Sequence, residues 1–304
     1  MSKLELTSLN CTNCGASLTG YEGKNEIQCE YCNTTLKVLR PRSVSVTQGN
    51  LSTDNFDRLN NYVEILQKAI RAGNFNEGYD YCNKALEVNP NIGSIWENKA
   101  ICAFWRSVSF LNEDKITISN AREIRTFLNA SKENDPNSET YEITADAIGS
   151  NLATVLRIKL ATISPDTTTT VNKKTVQSYS ARAISRAKDY LETMETAYDI
   201  MVNKDLDILK YLVSEFSNHG KMIWWEAKNA YGKAEHPTNT KPTALAISAG
   251  IDVERKRDSL IKRIINIDKS YEAPGVKITV TPMWVVFVAI GVTLFIMFFT
   301  FKGK

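Results

Sequence analysis

Four of the six cysteines in this chain fall within its first 32 residues, as Cys11-x2-Cys14 and Cys29-x2-Cys32, with 14 residues between the pairs. A Cys-x2-Cys turn lets two thiolates from one tight loop reach the same ion, and two such turns complete a tetrahedron of soft donors. The pattern predicts a bound Zn2+ with Cys11, Cys14, Cys29 and Cys32 as its ligands. Four thiolates leave no open coordination position, so the metal is expected to be structural and not catalytic. Gly15 follows the first pair and Asn33 the second. The residue leaving such a turn often needs positive φ, which glycine adopts freely and asparagine next best.

The elements that must hold these thiols are short. Ser17 to Gln28 contains Gly20 and Gly23 flanked by Leu18, Tyr21 and Ile27, which reads as a small hairpin, and Thr34 to Leu39 reads as a further strand. Together these residues resemble the zinc-ribbon family over about residues 9–39, with the domain placed at 1–40. Rival uses of the thiols are a redox pair, a rubredoxin-type iron site, or disulfides. A redox pair needs a strand–helix–strand context that is absent here. Rubredoxin-type sites usually separate their loops by more residues. Many ribbons bind nucleic acid, but within 1–42 five basic residues face four acidic ones, without a basic stripe interleaved with aromatics. Nucleic-acid binding is therefore not expected, and a ribbon this small needs its metal to fold.

The whole chain has 304 residues, 43% of them hydrophobic and 23% charged, with a formal net charge of +3. That excludes a disordered chain and a disulfide scaffold, and leaves room for about two folded units. Two histidines rule out a His-rich metalloenzyme.

At the other end, Met283 to Phe301 run for 19 residues without a charge. At the helical rise this covers roughly 28 Å, enough for a hydrocarbon core of about 30 Å, so a single transmembrane helix is expected over 282–301. Trp284 stands near one edge, where an interfacial indole belongs. Lys262, Arg263, Lys269 and Lys277 precede the span while only Lys302 and Lys304 follow it. The positive-inside rule then puts the N-terminal side in the cytoplasm, as does the need to keep four thiolates reduced. No apolar stretch suited to a signal peptide follows MSKLEL. Together these observations predict a single-pass protein, C-terminally anchored, with its N-terminal bulk cytoplasmic.

Between ribbon and span the chain reads as mainly α. After a polar linker at 41–56, Tyr62, Ile65, Ala69, Gly73, Phe75, Gly78, Cys82, Ala85 and Pro90 fall at the spacings of a tetratricopeptide repeat, which they resemble. Trp96 and Lys99-Ala100 continue in phase, Ala121–Asn134 resembles a second helix of such a repeat closed by Pro136, and Tyr141–Ile163 a further first helix. Leu66 stands where that family prefers Gly and Gly78 where it prefers Ala, so roughly two degenerate repeats are expected over 57–163. The resemblance implies a binding scaffold for a protein partner. Residues 164–174, with Pro165 and a run of threonines, read as a linker or exposed loop.

A helical bundle is expected over 175–272, with helices at about 173–203 and 205–232 and a basic juxtamembrane helix over 243–271. The middle one carries a stripe of Leu206, Leu209, Leu212, Val213, Phe216, Ile223 and Trp224. On the last, Leu260, Ile264, Ile267 and Tyr271 share helical spacing. Cys82 and Cys102 are read as packing residues.

No phosphate loop, metalloprotease or nucleophile-elbow motif occurs, and His219 and His236 have no carboxylate at helical spacing. No catalytic residues and no enzyme are expected. The layout suits a membrane-tethered cytosolic adaptor or scaffold that binds a protein partner through its helices, within a bacterial or phage-related membrane complex or defence system. The alternatives are a membrane-associated nucleic-acid-binding protein using the ribbon, and a homo-oligomer that self-associates through its span.

Overall fold

The computed structural model describes residues 9–18, 23–108, 116–163, 167–171, 174–178, 181–218 and 244–273. The chain divides into two compact units, Met1–His219 and Gly220–Lys304. The described residues are mainly helical with few strands.

The first unit opens with four short strands: β1 (Leu9–Asn10), β2 (Ser17–Leu18), β3 (Glu26–Gln28) and β4 (Thr35–Lys37). They pair as two antiparallel ladders, β1 with β2 and β3 with β4. Each ladder closes around its own cysteine turn. Among the described residues the pairing does not run across Ser17–Gln28, where the sequence suggested a hairpin. The reason is local: the turn after each cysteine pair reverses the chain within six residues, so the nearest strand to each strand is the other side of its own turn.

Helices follow in sequence: α1 (Thr53–Arg71), α2 (Phe75–Val88), α3 (Gly93–Ser107), α4 (Ile118–Asn134), α5 (Tyr141–Ala161) and α6 (Ala181–Ile200). A seventh, α7, covers 206–218. Their starts are chemically marked. Ser52, Asn74 and Thr117 each accept a backbone N–H from the first turn of α1, α2 and α4 respectively. α1 stops at a left-handed Gly73, where the N–H groups of Gly73 and Asn74 close back on the carbonyls of Ile70 and Ala69. The three-residue turn folds α2 back on α1, and α2 packs on α3 and α3 on α4 in the same successive way.

α1 buries one stripe, Leu59, Val63, Leu66, Ala69 and Ile70. α3 and α5 are buried nearly all round, as central helices are. Cys82 and Cys102 are both fully buried. α5 meets α6 at Gly149, where an added Cβ would lie 2.6 Å from the Ala197 carbonyl oxygen. Asp146 fixes the turn after α6, accepting from the backbone N–H groups of Val202 (2.7 Å) and Asn203 (3.0 Å).

The threonine run does end the preceding helix, at Ala161, but it is a strand. Thr167–Val171 (β5) pairs antiparallel with Lys174–Ser178 (β6), so the helix expected from about 173 begins instead at Ala181. Consecutive β-branched residues favour the extended pleat over a helix, which explains the hairpin. Of the stripe expected for α7, Leu209, Leu212, Val213 and Phe216 are buried; Ile223 and Trp224 lie outside the described residues.

In the second unit α8 (Ala244–Ile267) is the described element. Val253, Leu260 and Ile264 are buried on it, whereas Ile267 is 59% exposed and does not share their stripe. No described helix is long and apolar enough to cross a membrane. The span expected at 282–301 lies outside the described residues, as do His219 and His236.

Candidate metal centre and the segment that seats it

The two cysteine turns are built alike. In the first, the Cys11 N–H donates to the Ala16 carbonyl (2.8 Å) and the Gly15 N–H to the Cys11 carbonyl (3.0 Å); in the second, Cys29 N–H donates to Thr34 (2.9 Å) and Asn33 N–H to Cys29 (2.8 Å). Such a turn needs a left-handed residue where it closes, and Gly15 (φ 80°) and Asn33 (φ 56°) supply it. Both cysteines of each pair then point inward from one loop.

The result is a single cluster. The sulfurs of Cys11, Cys14, Cys29 and Cys32 all lie within 4.8 Å of one another, with Cys11–Cys32 and Cys14–Cys29 both at 3.5 Å. A Zn–S bond of about 2.3 Å implies tetrahedral edges of about 3.8 Å, so the cluster has the dimensions and the donor chemistry for one Zn2+. The Asn13 N–H approaches the Cys11 sulfur at 3.4 Å, a contact that favours a thiolate there. The thiols differ in their proton affinity. Burial pushes Cys11 up to about 12. Desolvation also acts to raise Cys32, but hydrogen bonds with the Thr34 side chain and backbone, and with Cys14 and Cys11, bring it down to about 6.

Behind the cluster, the chain leaving the ribbon crosses α5, α3 and α1 in turn. Asn151 on α5 accepts the Lys37 N–H and donates to the Lys37 carbonyl, both at 2.8 Å. Asn98 on α3 does the same with Arg42, again at 2.8 Å twice. On α1, Gln67 donates to the Val44 carbonyl at 3.3 Å. A carboxamide holds a donor and an acceptor side by side, so it satisfies both polar groups of one extended residue as a neighbouring strand would. Val38, Leu39 and Val44 are buried along the same segment. The stretch 41–56, read from its polar composition as a linker, is therefore gripped at its beginning, and its exposed residues are Ser43, Ser45, 47–50 and 52–54.

The Arg42 side chain enters an acidic recess. Its guanidinium donates to Asp135 (2.6 Å), Ser138 (2.9 Å) and Glu97 (3.5 Å). The Glu97 side chain is 0% exposed and also accepts from Thr144 (2.6 Å) and Thr140 (3.1 Å). A buried carboxylate is tolerable only when its oxygens are occupied in this way. Sequence reasoning singled out none of Arg42, Gln67, Glu97, Asn98 or Asn151. The available signal was a polar triplet, Glu97-Asn98-Lys99, inside an otherwise apolar helix.

Lys99, the third of that triplet, lies over the rings of Phe127 (4.2 Å), Trp96 (4.9 Å) and Tyr79 (5.3 Å). Desolvation lowers its proton affinity from the usual lysine value. An open hollow of about 300 Å³ beside it is lined by Asn76, Tyr79, Arg106, Asn120 and Glu123. There the Tyr79 hydroxyl donates to Glu123 (2.6 Å) and Arg106 stacks on the Tyr79 ring (4.1 Å).

No family model, no curated protein and no solved structure matches this chain.

Proposed function

We propose that this protein is a membrane-tethered adaptor: a zinc ribbon mounted on a tetratricopeptide-like helical scaffold, anchored by the apolar run 282–301 with its bulk in the cytosol, and binding a partner protein through the helices. The observation that carries the scaffold reading is the surface of α1, α3 and α5. Three successive first helices each present a carboxamide to extended main chain, as a surface built to hold polypeptide requires. The four-thiolate cluster supports a structural Zn2+ that stiffens the ribbon. The charge-free run Met283–Phe301 supports the anchor, and confinement to a membrane raises the local concentration of a partner without any chemistry.

A crosslinked pull-down from membranes tests this. The intact chain is compared with a Cys29→Ser/Cys32→Ser chain and with one truncated after Gly275. A defined protein set retained by the intact chain and lost from both variants upholds the adaptor. Recovery of nucleic acid, or of the chain alone, overturns it.

A further inference from the structure

We propose that the face of α1, α3 and α5 is a binding site for an extended polypeptide carrying an arginine, and that residues 37–44 occupy it in cis as a tethered resident which a partner segment of the same pattern displaces. The inference rests on the adaptor reading and names the chemistry of its partner.

Most of the grip is indifferent to the identity of what it holds. Asn151, Asn98 and Gln67 bond only to main-chain groups, of Lys37, Arg42 and Val44. The segment crosses from one helix to the next within a few residues: Lys37 bonds Asn151 on α5, Arg42 bonds Asn98 on α3, and Val44 bonds Gln67 on α1. Selectivity comes from two features. One is the recess of Glu97, Asp135 and Ser138, where three oxygens converge on the Arg42 guanidinium. A planar fork of donors suits that recess, and a lysine would leave part of it unfilled. The other is the burial of Val38, Leu39 and Val44. A fitting segment therefore reads apolar-apolar-x-x-Arg-x-apolar.

The resident is built so that it can be exchanged. Exposed residues 47–50 separate it from the start of α1 at Thr53, and the turn there is held by a single Leu51 N–H to Gln48 carbonyl bond. On its other side it is tied to the ribbon, where Val38 N–H donates to Asn25 and the Arg40 guanidinium to Asn25 and Lys24. Ribbon and resident would leave together. While tethered, the resident acts at a local concentration of order millimolar, so a free competitor is held off until the tether is broken or the competitor is itself concentrated at the membrane.

The experiment uses the full chain in detergent with a protease site inserted between Gly49 and Asn50, both exposed. After cleavage, a synthetic peptide of residues 36–46 (LKVLRPRSVSV) is titrated in, and release of the ribbon fragment is followed together with helical circular dichroism. The expected result is release of the fragment with the helical signal retained, and at least about tenfold weaker displacement by the same peptide carrying Arg42→Glu. If the fragment leaves on cleavage alone with the helices intact, direct binding of the two labelled peptides to the remaining helices is compared by the same tenfold criterion. Failure of the peptide to release or bind, equal action of both peptides, or loss of the helical signal on cleavage overturns the proposal, because the segment is then fixed core. These results separate from those of the pull-down. A partner recovered from membranes by a chain whose segment cannot be displaced leaves the adaptor standing on another face. Displacement with no partner recovered leaves the site standing without the adaptor.

Discussion

Asn98 and Arg42 stand 56 positions apart and exchange two hydrogen bonds of 2.8 Å, the carboxamide of one pairing with both main-chain groups of the other. Asn151 repeats the arrangement with Lys37 across 114 positions. Through these pairs the small ribbon, whose own apolar content is slight, is seated on a helical body large enough to be stable without it.

Replacing either asparagine should therefore cost more than its modest size suggests. Asn98→Ala leaves a backbone N–H and carbonyl without their partners in a part-buried setting, and a loss of about 1–3 kcal/mol in urea unfolding is expected. Asn98→Ser, which restores one partner at best, should fall between. An unchanged midpoint for Asn98→Ala would show that water serves Arg42 equally well.

The Arg42–Glu97 pair predicts a sign that depends on which partner is removed. Arg42→Met strands the fully buried Glu97 carboxylate with two threonine hydroxyls, an expected loss of about 3–5 kcal/mol. Adding Glu97→Gln in the same chain removes the stranded charge and should recover a large part of that loss. A double variant no more stable than Arg42→Met alone would contradict the burial of Glu97.

How much of this was legible beforehand depends on what kind of interaction each residue makes. Gly15 and Asn33 announced themselves because a cysteine turn requires a backbone conformation that few residues adopt, and both have it. The ends of α2 and α4 were equally plain, since Pro90 and Pro136 follow them closely. The grip on residues 37–44 was not. Its bonds go to main chain, which leaves no mark on side-chain pattern, and Asn151 sits silently in an apolar helix. Polar composition made 41–56 look like solvent-exposed linker although Val44 is buried. Thr167–Val171 read as a loop because polar, β-branched residues after Pro165 do not continue a helix, while the same branching favours the strand that forms.

Gly149 offers a test of the α5–α6 contact. A methyl group there meets the Ala197 carbonyl oxygen at 2.6 Å and the Met201 side chain. Gly149→Ala should destabilise by about 1–3 kcal/mol despite its better helix propensity, because overpacking outweighs the propensity gain. Stabilisation on thermal unfolding would mean that the two helices sit further apart.

Metal retention should depend on acidity in one direction. Burial pushes Cys11 up to about 12, so the thiol must surrender a proton to a metal that binds its sulfur, and protons compete better as pH falls. Zinc should be released to a chromophoric chelator progressively more easily from about pH 8 to about pH 6, by about tenfold or more per unit, at one ion per chain. Removing it should unfold the ribbon and leave the far-ultraviolet helical signal largely intact. A pH-independent release, or a stoichiometry other than one, would rule out the four-cysteine site.

The account turns on residues 37–44 being held by the helices, and amide hydrogen exchange at Arg42 in the full chain tests that most directly. The Arg42 N–H should exchange far more slowly than those of exposed residues 47–50 yet faster than those of Ile101 and Phe104 in the core of α3, and Asn98→Ala should release it while leaving theirs protected. Exchange at Arg42 as fast as at exposed residues 47–50 in the unaltered chain would contradict the account.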